Sequence, residues 1–334
     1  MTRLDWFRRR APLRAALAVL LAAAFAAGCE EAQGPDDGAE AEARKARIAA
    51  AYERNDSLDN YRFEGSFAFP PASGAAVPDS PAGAVAPSLA DGLSWSGVYY
   101  RDPMRLEADI RPGGANGSAG GAWARETIPL LVRDGTLYIS IPAINRPDEY
   151  LTVRLAAAND GAAAPAAALI QAAGAVDGLA ERIFEALDPR WIAPAEPAGG
   201  AEGERFVAAV TSDNAEAMTA AVRAGFDAWA QSLPPELGAP ALPEGGGIRL
   251  AEGGALTFSL GADGTVAEQR IELAFVSGED VSEDAAEAGT LRYELRLREA
   301  NGSPALTKPT PTATVPLEHV LAFLAAGLAG APPQ

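Results

Sequence analysis

The chain has one cysteine and one histidine in 334 residues, and fewer basic than acidic side chains, 27 against 45. One thiol forms no internal disulfide and no thiolate metal site. His319, inside a short apolar segment, makes neither a catalytic triad nor a metal centre without partners. No Gly-x-Ser-x-Gly elbow is present; Gly65-Ser66 lacks its surroundings. No Gly-x-x-x-x-Gly-Lys-Ser/Thr run exists, and Gly113-Gly114 and Gly245-Gly246-Gly247 read as flexible links rather than phosphate cradles. The longest apolar run, Ala15 to Ala27, is shorter than the ~20 residues of a spanning helix. These gaps argue against an enzyme, a cofactor and a resident metal. A carboxylate-only hydrolase escapes the argument, since two acids suffice for sugar chemistry.

What is present starts at the N-terminus. Arg8, Arg9, Arg10 and Arg14 precede the apolar run, and Ala26-Ala27-Gly28-Cys29 follows it. A basic region, a short apolar region and small residues form a secretory signal. The small residues before Cys29 resemble the bacterial lipobox, with Ala26 where Leu is usual. The resemblance implies cleavage before Cys29 and acylation of its thiol, with 1–28 as signal peptide; the alternatives are an ordinary secretory signal cut nearby or an uncleaved anchor. The expected address is the extracytoplasmic face of the cell membrane, with the acyl chains as the membrane partner. Losing Arg3, Arg8, Arg9, Arg10, Arg14 and Asp5 takes the net charge from −18 to −22. Such a surface repels phosphate backbones, so nucleic acid is not an expected partner.

Residues 29–38 are polar and acidic and read as a tether. Ala39 to Asp56 favours helix, with Ile48 and Tyr52 four residues apart. Most of the remainder alternates with period two. Tyr61, Phe63, Phe67 and Phe69 oppose Arg62, Glu64 and Ser66. Met104, Leu106, Ala108 and Ile110 oppose Arg105, Glu107, Asp109 and Arg111. The same holds for Leu137–Ile141, Leu151–Leu155, Ile271–Phe275 and Leu291–Leu297. This pattern means antiparallel strands covered on one face and wet on the other. Asp134-Gly135 and Asp263-Gly264 read as tight hairpin turns. Helical spacing recurs in Pro165–Leu187, in Asp213–Leu233 with Asp213 as cap and Glu216 three residues on, and in Pro316–Leu328. The stretches near 70–90 and 113–121 read as loop insertions.

One-sided strands need cover, and the apolar helices supply it. The expected fold is α+β, a curved antiparallel half-barrel wrapped around helices, in one domain over 39–328. The helix followed by Asn60-Tyr61-Arg62-Phe63-Glu64-Gly65-Ser66 opens the strand set. Gly97 to Leu106 and Val132 to Pro142 continue it, and Phe206 to Ser212 leads into the helix at Asp213. This order resembles the LolA-like and LppX/LprG-like lipoproteins of bacterial envelopes. The resemblance implies a cavity between sheet and helices that holds acyl chains or lipoproteins. It carries no catalytic motif, and the two loop insertions depart from it.

Phe63, Phe67, Tyr99, Ala108, Tyr138, Ala208, Phe226 and Trp229 are the candidate cavity lining, set against the simpler reading that aromatics on alternating strands are core. Trp95 and Trp123 lie beside loops and are candidates for a pocket rim. Glu279, Asp280, Glu283, Asp284 and Glu287 read as a solvated acidic loop, with a weak Ca²⁺ site as the alternative, although the ligand order and glycine of an EF-hand are missing. Two functions follow: a lipoprotein binding lipid or acyl chains, or an envelope interaction module with a filled core that binds another protein.

Overall fold

The alternating segments become strands of one open, curved sheet, and the strand register shows where every apolar side chain goes. A computed structural model describes residues 36–68, 92–113, 126–142, 145–155, 178–196, 203–232, 242, 248–277 and 286–317. Residues 40–334 form one compact unit; of the preceding unit, 1–39, only 36–39 are described, at the start of the first helix. Among the described residues the α-helices are α1 (Asp36–Asn55), α2 (Gly178–Ala186) and α3 (Ala215–Ala230).

The strands are β1 (Asn60–Ala68), β2 (Leu93–Tyr100), β3 (Arg105–Pro112), β4 (Ile128–Arg133), β5 (Thr136–Ile139) and β6 (Glu149–Arg154). They continue as β7 (Ile192–Ala195), β8 (Glu204–Ala209), β9 (Ile248–Leu250), β10 (Ala255–Leu260), β11 (Val266–Ser277), β12 (Ala286–Arg298) and β13 (Ala313–Pro316). Their order is β13-β6-β5-β4-β3-β2-β1-β12-β11-β10-β8-β7, with β9 on β11. Every pair is antiparallel except β13 with β6. Both edge strands contain a proline, Pro194 and Pro316. An edge residue without an N–H blunts pairing with another chain.

Cross-strand partners share a face. Leu256 pairs with Ile271, Ile271 with Tyr293, and Phe67 with both Tyr293 and Leu93. Tyr99 pairs with Leu106, Leu106 with Val132, Val132 with Leu137 and Leu137 with Val153. One apolar face therefore runs across the sheet. The helices pack on one half of it. Ile48, Ala51 and Tyr52 of α1, Leu179, Ile183 and Phe184 of α2, and Met218, Val222, Phe226 and Trp229 of α3 share a core with Phe206, Phe258, Ile271, Leu273 and Phe275. Gly225 allows α2 and α3 to touch: a Cβ there would sit 2.5 Å from the Ile183 Cα.

Polar side chains of α1 fix it to the sheet. Arg44 donates to the Ile192 carbonyl at 2.8 Å, and Asn55 exchanges two bonds with the Val266 backbone. Lys45 donates to the Glu185 and Leu187 carbonyls at the end of α2, at 2.9 and 2.5 Å. Burial lowers the Lys45 pKa, against the opposing pull of Glu42, Asp188 and Glu185.

Several local expectations change. Helix α1 starts at Asp36, inside the stretch read as tether. Helix α3 is capped by Asn214 rather than Asp213. The Asn214 side chain turns back, accepting from Thr211 N and donating to the Ala209 carbonyl, and makes no cap bond. Met104 is not on the apolar face: it lies in the turn before β3 and is exposed. Asp134 and Gly135 form the two-residue turn between paired Arg133 and Thr136, with φ of 48° and 70°. Asp263-Gly264 instead sits in the longer 261–265 connection, where Asp263 accepts from Thr265 N and Oγ1. Of the segment Pro165–Leu187, the part before Gly178 lies outside the described residues. Of the helix expected over Pro316–Leu328, Pro316 instead ends β13, and the part after Leu317 lies outside the described residues.

Candidate functional site

Among the described residues, the helices pack on the β12–β11–β10–β8 side of the apolar face, and the edge of that packing lies at β1–β2. On the apolar face, Phe63 stands opposite Gly97 and Trp95 opposite Gly65. The large rings fill the space the glycines leave. A Cβ on Gly65 would lie 2.5 Å from the six-membered ring of Trp95, and one on Gly97 would lie 2.6 Å from Phe63 Cζ. Tyr61 stands 6.1 Å from Phe63 and 5.2 Å from Tyr99, centroid to centroid. Tyr61, Phe63, Trp95 and Tyr99 are all half-buried. They form an aromatic row along two neighbouring strands. Burial raises the Tyr99 pKa, with Arg101 opposing, so its hydroxyl is protonated at neutral pH.

The row borders two apolar clusters. Phe63 and Trp95 pack against the helix-covered core, and Trp95 lies 6.4 Å from Tyr293. Phe63 also packs against the cluster of Ala108, Leu130, Val132, Leu137 and Val153 on β3–β6. Leu106 and Ile110 flank that cluster, half-buried.

The eight candidate lining residues separate accordingly. Phe67, Ala208, Phe226 and Trp229 lie in the helix-covered core, with Phe226 5.2 Å and Phe67 6.3 Å from Trp229. Phe63 and Tyr99 belong to the aromatic row, and Ala108 to the cluster beside it. Tyr138 pairs with Leu131 and Thr152, on the opposite face. Cys29, Trp123, His319 and the acidic cluster 279–284 lie outside the described residues. Glu287 is in β12, and its side chain is not described. Sequence reasoning placed Trp95 at a rim and omitted Leu106 and Ile110. The hint was a glycine inside each alternating run, Gly65 and Gly97.

The opposite face carries polar structure. After β12 the chain crosses β1, β2 and β3 before pairing with β6. Ser303 N donates to Asn60 Oδ1, and Tyr100 Oη donates to the Pro304 carbonyl. Thr307 N and Lys308 N each donate to the Glu107 carboxylate at 2.8 Å, and Lys308 pairs with Asp109. Glu107 is 5% exposed and also accepts from Arg133 Nη2 at 2.5 Å. A cleft of about 180 Å³ opens beside this strap, lined by Arg62, Glu64, Ser96, Glu107 and Lys308 among others. A second, of about 410 Å³, lies between α1 and the 261–264 turn, with Arg47, Arg54 and Glu204 on its walls. Among the described residues no group of three or more His, Cys, Asp or Glu side chains is placed to hold a metal ion. Among them no helix is long and apolar enough to cross a membrane.

No family model matches the chain, and no curated protein does. Among solved structures it is similar to the Mycobacterium tuberculosis lipoprotein LppX: 10% identity, 80% of this chain and 99% of that chain covered, TM-score 0.35. It is also similar to LprF from Mycobacterium bovis, with 12% identity, 82% and 97% coverage and TM-score 0.29. At these scores the chemistry of the site rests on this chain's own residues.

Proposed function

We propose that the protein is a membrane-anchored, extracytoplasmic lipoprotein that binds an apolar ligand, a lipid or acyl chain, against the β1–β2 seam. One observation carries the reading: a row of four half-buried aromatic side chains lies on a continuous apolar face, beside the core that the described helices cover. Aromatic faces beside aliphatic Leu106 and Ile110 suit a hydrocarbon, and Tyr61 and Tyr99 add hydroxyls at one end for an amphiphile's head. Each methylene taken out of water contributes ~0.8 kcal/mol. Such binding is driven by area and discriminates weakly among chains. The basic, apolar and small residues leading to Cys29 support the anchor, and the acidic surface disfavours nucleic acid. The role is binding rather than catalysis.

Dibrominated stearate added to the full-length protein in detergent tests the ligand site. Bromine quenches nearby indoles, so the fluorescence of the wild type should fall. Most of that quenching should vanish in Trp95→Phe and persist in Trp191→Phe. Ala108→Trp should weaken binding of the same probe. If the wild type is not quenched and carries no lipid when extracted, the filled-core interaction module takes over. Cys29→Ser tests the anchor separately: the variant should lose detergent-phase partitioning.

A further inference from the structure

The aromatic row ends at the paired Tyr61 and Tyr99, and an arginine stands beside that end. Arg101 follows β2 directly, two residues after Tyr99. Helix α1 packs on the apolar face, so the connection from α1 to β1 starts from that side of the sheet. Arg101 reaches this connection. Its Nε donates to the Leu58 carbonyl at 2.8 Å and its Nη2 to the Asp56 carbonyl. Its backbone N donates to the Asp59 carbonyl at 2.7 Å. The guanidinium is thus held in place, close enough to Tyr99 to oppose the rise in its pKa. Two of its five N–H groups meet neutral carbonyls, and among the described residues no carboxylate pairs with it. Arg105, at the start of β3, rests 4.4 Å from the Tyr100 ring, and its buried Nε has no hydrogen-bond partner among the described residues. Asp102 is the one acid between Tyr99 and Leu106; it, Asp56 and Asp59 are exposed, in water that screens them. A chain of net charge −18 therefore keeps two arginines without carboxylate partners at one hairpin.

We propose that the ligand of the β1–β2 seam is an anionic amphiphile, its negatively charged head held by Arg101 and the Tyr99 hydroxyl and its hydrocarbon laid along Phe63 and Trp95. This rests on the seam being a hydrocarbon site, as proposed above, and adds the sign and the place of the head. A guanidinium already fixed by two carbonyls loses little freedom when it takes a carboxylate. A hydrogen bond between ionised partners is roughly twice as strong as a neutral one. The Tyr99 hydroxyl, kept protonated by burial, donates a second bond. The dimensions agree. Tyr99 and Trp95 are four residues apart on β2, about 14 Å at ~3.4 Å per residue. A head at Arg101 therefore lays the middle of a stearoyl chain near Trp95. An uncharged amphiphile would find the same apolar wall but leave the guanidinium without a partner, and an ammonium head would be repelled. The acidic surface opposes any anion at long range, but salt screens that beyond ~10 Å, and the contact decides.

Dibrominated stearate and dibrominated stearyl alcohol, compared by tryptophan quenching in the full-length protein in detergent, test the head. At about pH 9 the free carboxyl is ionised and the alcohol is not. Both probes should quench the wild type. In Arg101→Gln the affinity for stearate should fall roughly tenfold while that for the alcohol holds. Following each probe across variants cancels its own partitioning into detergent. Tyr99→Phe leaves the Arg101 contacts in place and should weaken stearate roughly threefold relative to the alcohol. Equal changes for both probes in the two variants, or no change, overturn the anionic head and leave the hydrocarbon site standing. If neither probe quenches the wild type, the hydrocarbon site itself fails and the head with it. If Arg101→Gln does not fold, the Tyr99→Phe ratio decides.

Discussion

The half of the sheet under the helices and the half crossed by the strap use different physics. In the first, side chains interlock in three dimensions: the rings of Tyr52, Phe184 and Phe258 meet edge-to-face or tilted with centroids 5.2–6.5 Å apart, contributed by α1, α2 and β10. Polar groups that enter that core are hydrogen-bonded there: Tyr52 Oη donates to Gln269 at 2.7 Å and Gln269 to Tyr293 Oη at 3.3 Å, while Thr219 Oγ1 accepts from Leu250 N at 2.9 Å. In the second half the order rests on a buried ion pair, Glu107 with Arg133, which also clamps the strap. Apolar packing tolerates sliding and repacking; a buried carboxylate with four bonding partners fixes one position of the segment that holds it. The strap is the route by which the chain crosses to the β6 edge, and a positional pin suits it.

Four experiments separate the two halves. Phe258→Ala should destabilise the protein most, by about 3–5 kcal/mol, read from the urea midpoint, because it opens a cavity beneath α1 and α2. A loss near zero would mean that the helices do not seal this half.

Glu107→Ala should cost about 3 kcal/mol by leaving Arg133 buried without its partner. The Leu106 and Val132 carbonyls, each 3.0 Å from Arg133 Nη1, soften the loss. Its signature is local: the amides of Thr307 and Lys308 exchange faster while those of β10–β11 do not. Equal acceleration in both halves would dissolve the contrast drawn here.

Tyr52→Phe should cost about 1 kcal/mol at neutral pH through the lost hydrogen bond to Gln269. Its pH dependence is the sharper readout. Burial, with Glu181 and Glu185 nearby, raises the Tyr52 pKa well above 10.0. The folded state therefore holds this proton longer than the unfolded chain does. The contribution is complete below pH ~10 and is lost as pH rises through the folded value, so the alkaline decline in stability should be shallower in the variant. An identical decline would place another tyrosine, Tyr99 or Tyr150, behind it.

Arg296→Ala should be the mildest change, at most about 1 kcal/mol. Arg296 pairs with Glu268 and Glu294 on the wet face of β11 and β12 and is 40% exposed. A larger loss would show that the outer face contributes to cohesion as well as solubility.

Much of this was legible in the residues. The alternation assigned β1, β3, Leu151 and Val153 of β6, residues 270–275 of β11 and residues 291–298 of β12 to their faces, and the Met218–Trp229 stripe marked α3 as a core helix. The short strands β7, β9 and β13 were not legible, because three or four residues carry too little period. Met104 was misassigned because the alternation continues in sequence through a turn that ends it in space. Glu107 read as an ordinary wet-face acid. Nothing near it in sequence announces that Thr307 and Lys308, about two hundred residues on, will remove it from water.

By itself the sequence determined the one-sided chemistry of the strands, the acidic surface, the two-residue turn at Asp134-Gly135 and the α+β class. These follow from local period, charge and backbone freedom, which neighbouring residues set. Only the tertiary structure decided that β1 pairs with β12 and β2, that Phe63 and Trp95 fill the spaces at Gly97 and Gly65, and that α1, α2 and α3 pack on the β8–β12 side of that seam. Register between distant strands is set by which apolar layers close over which. That balance of burial is summed over the whole chain, and no single segment carries it.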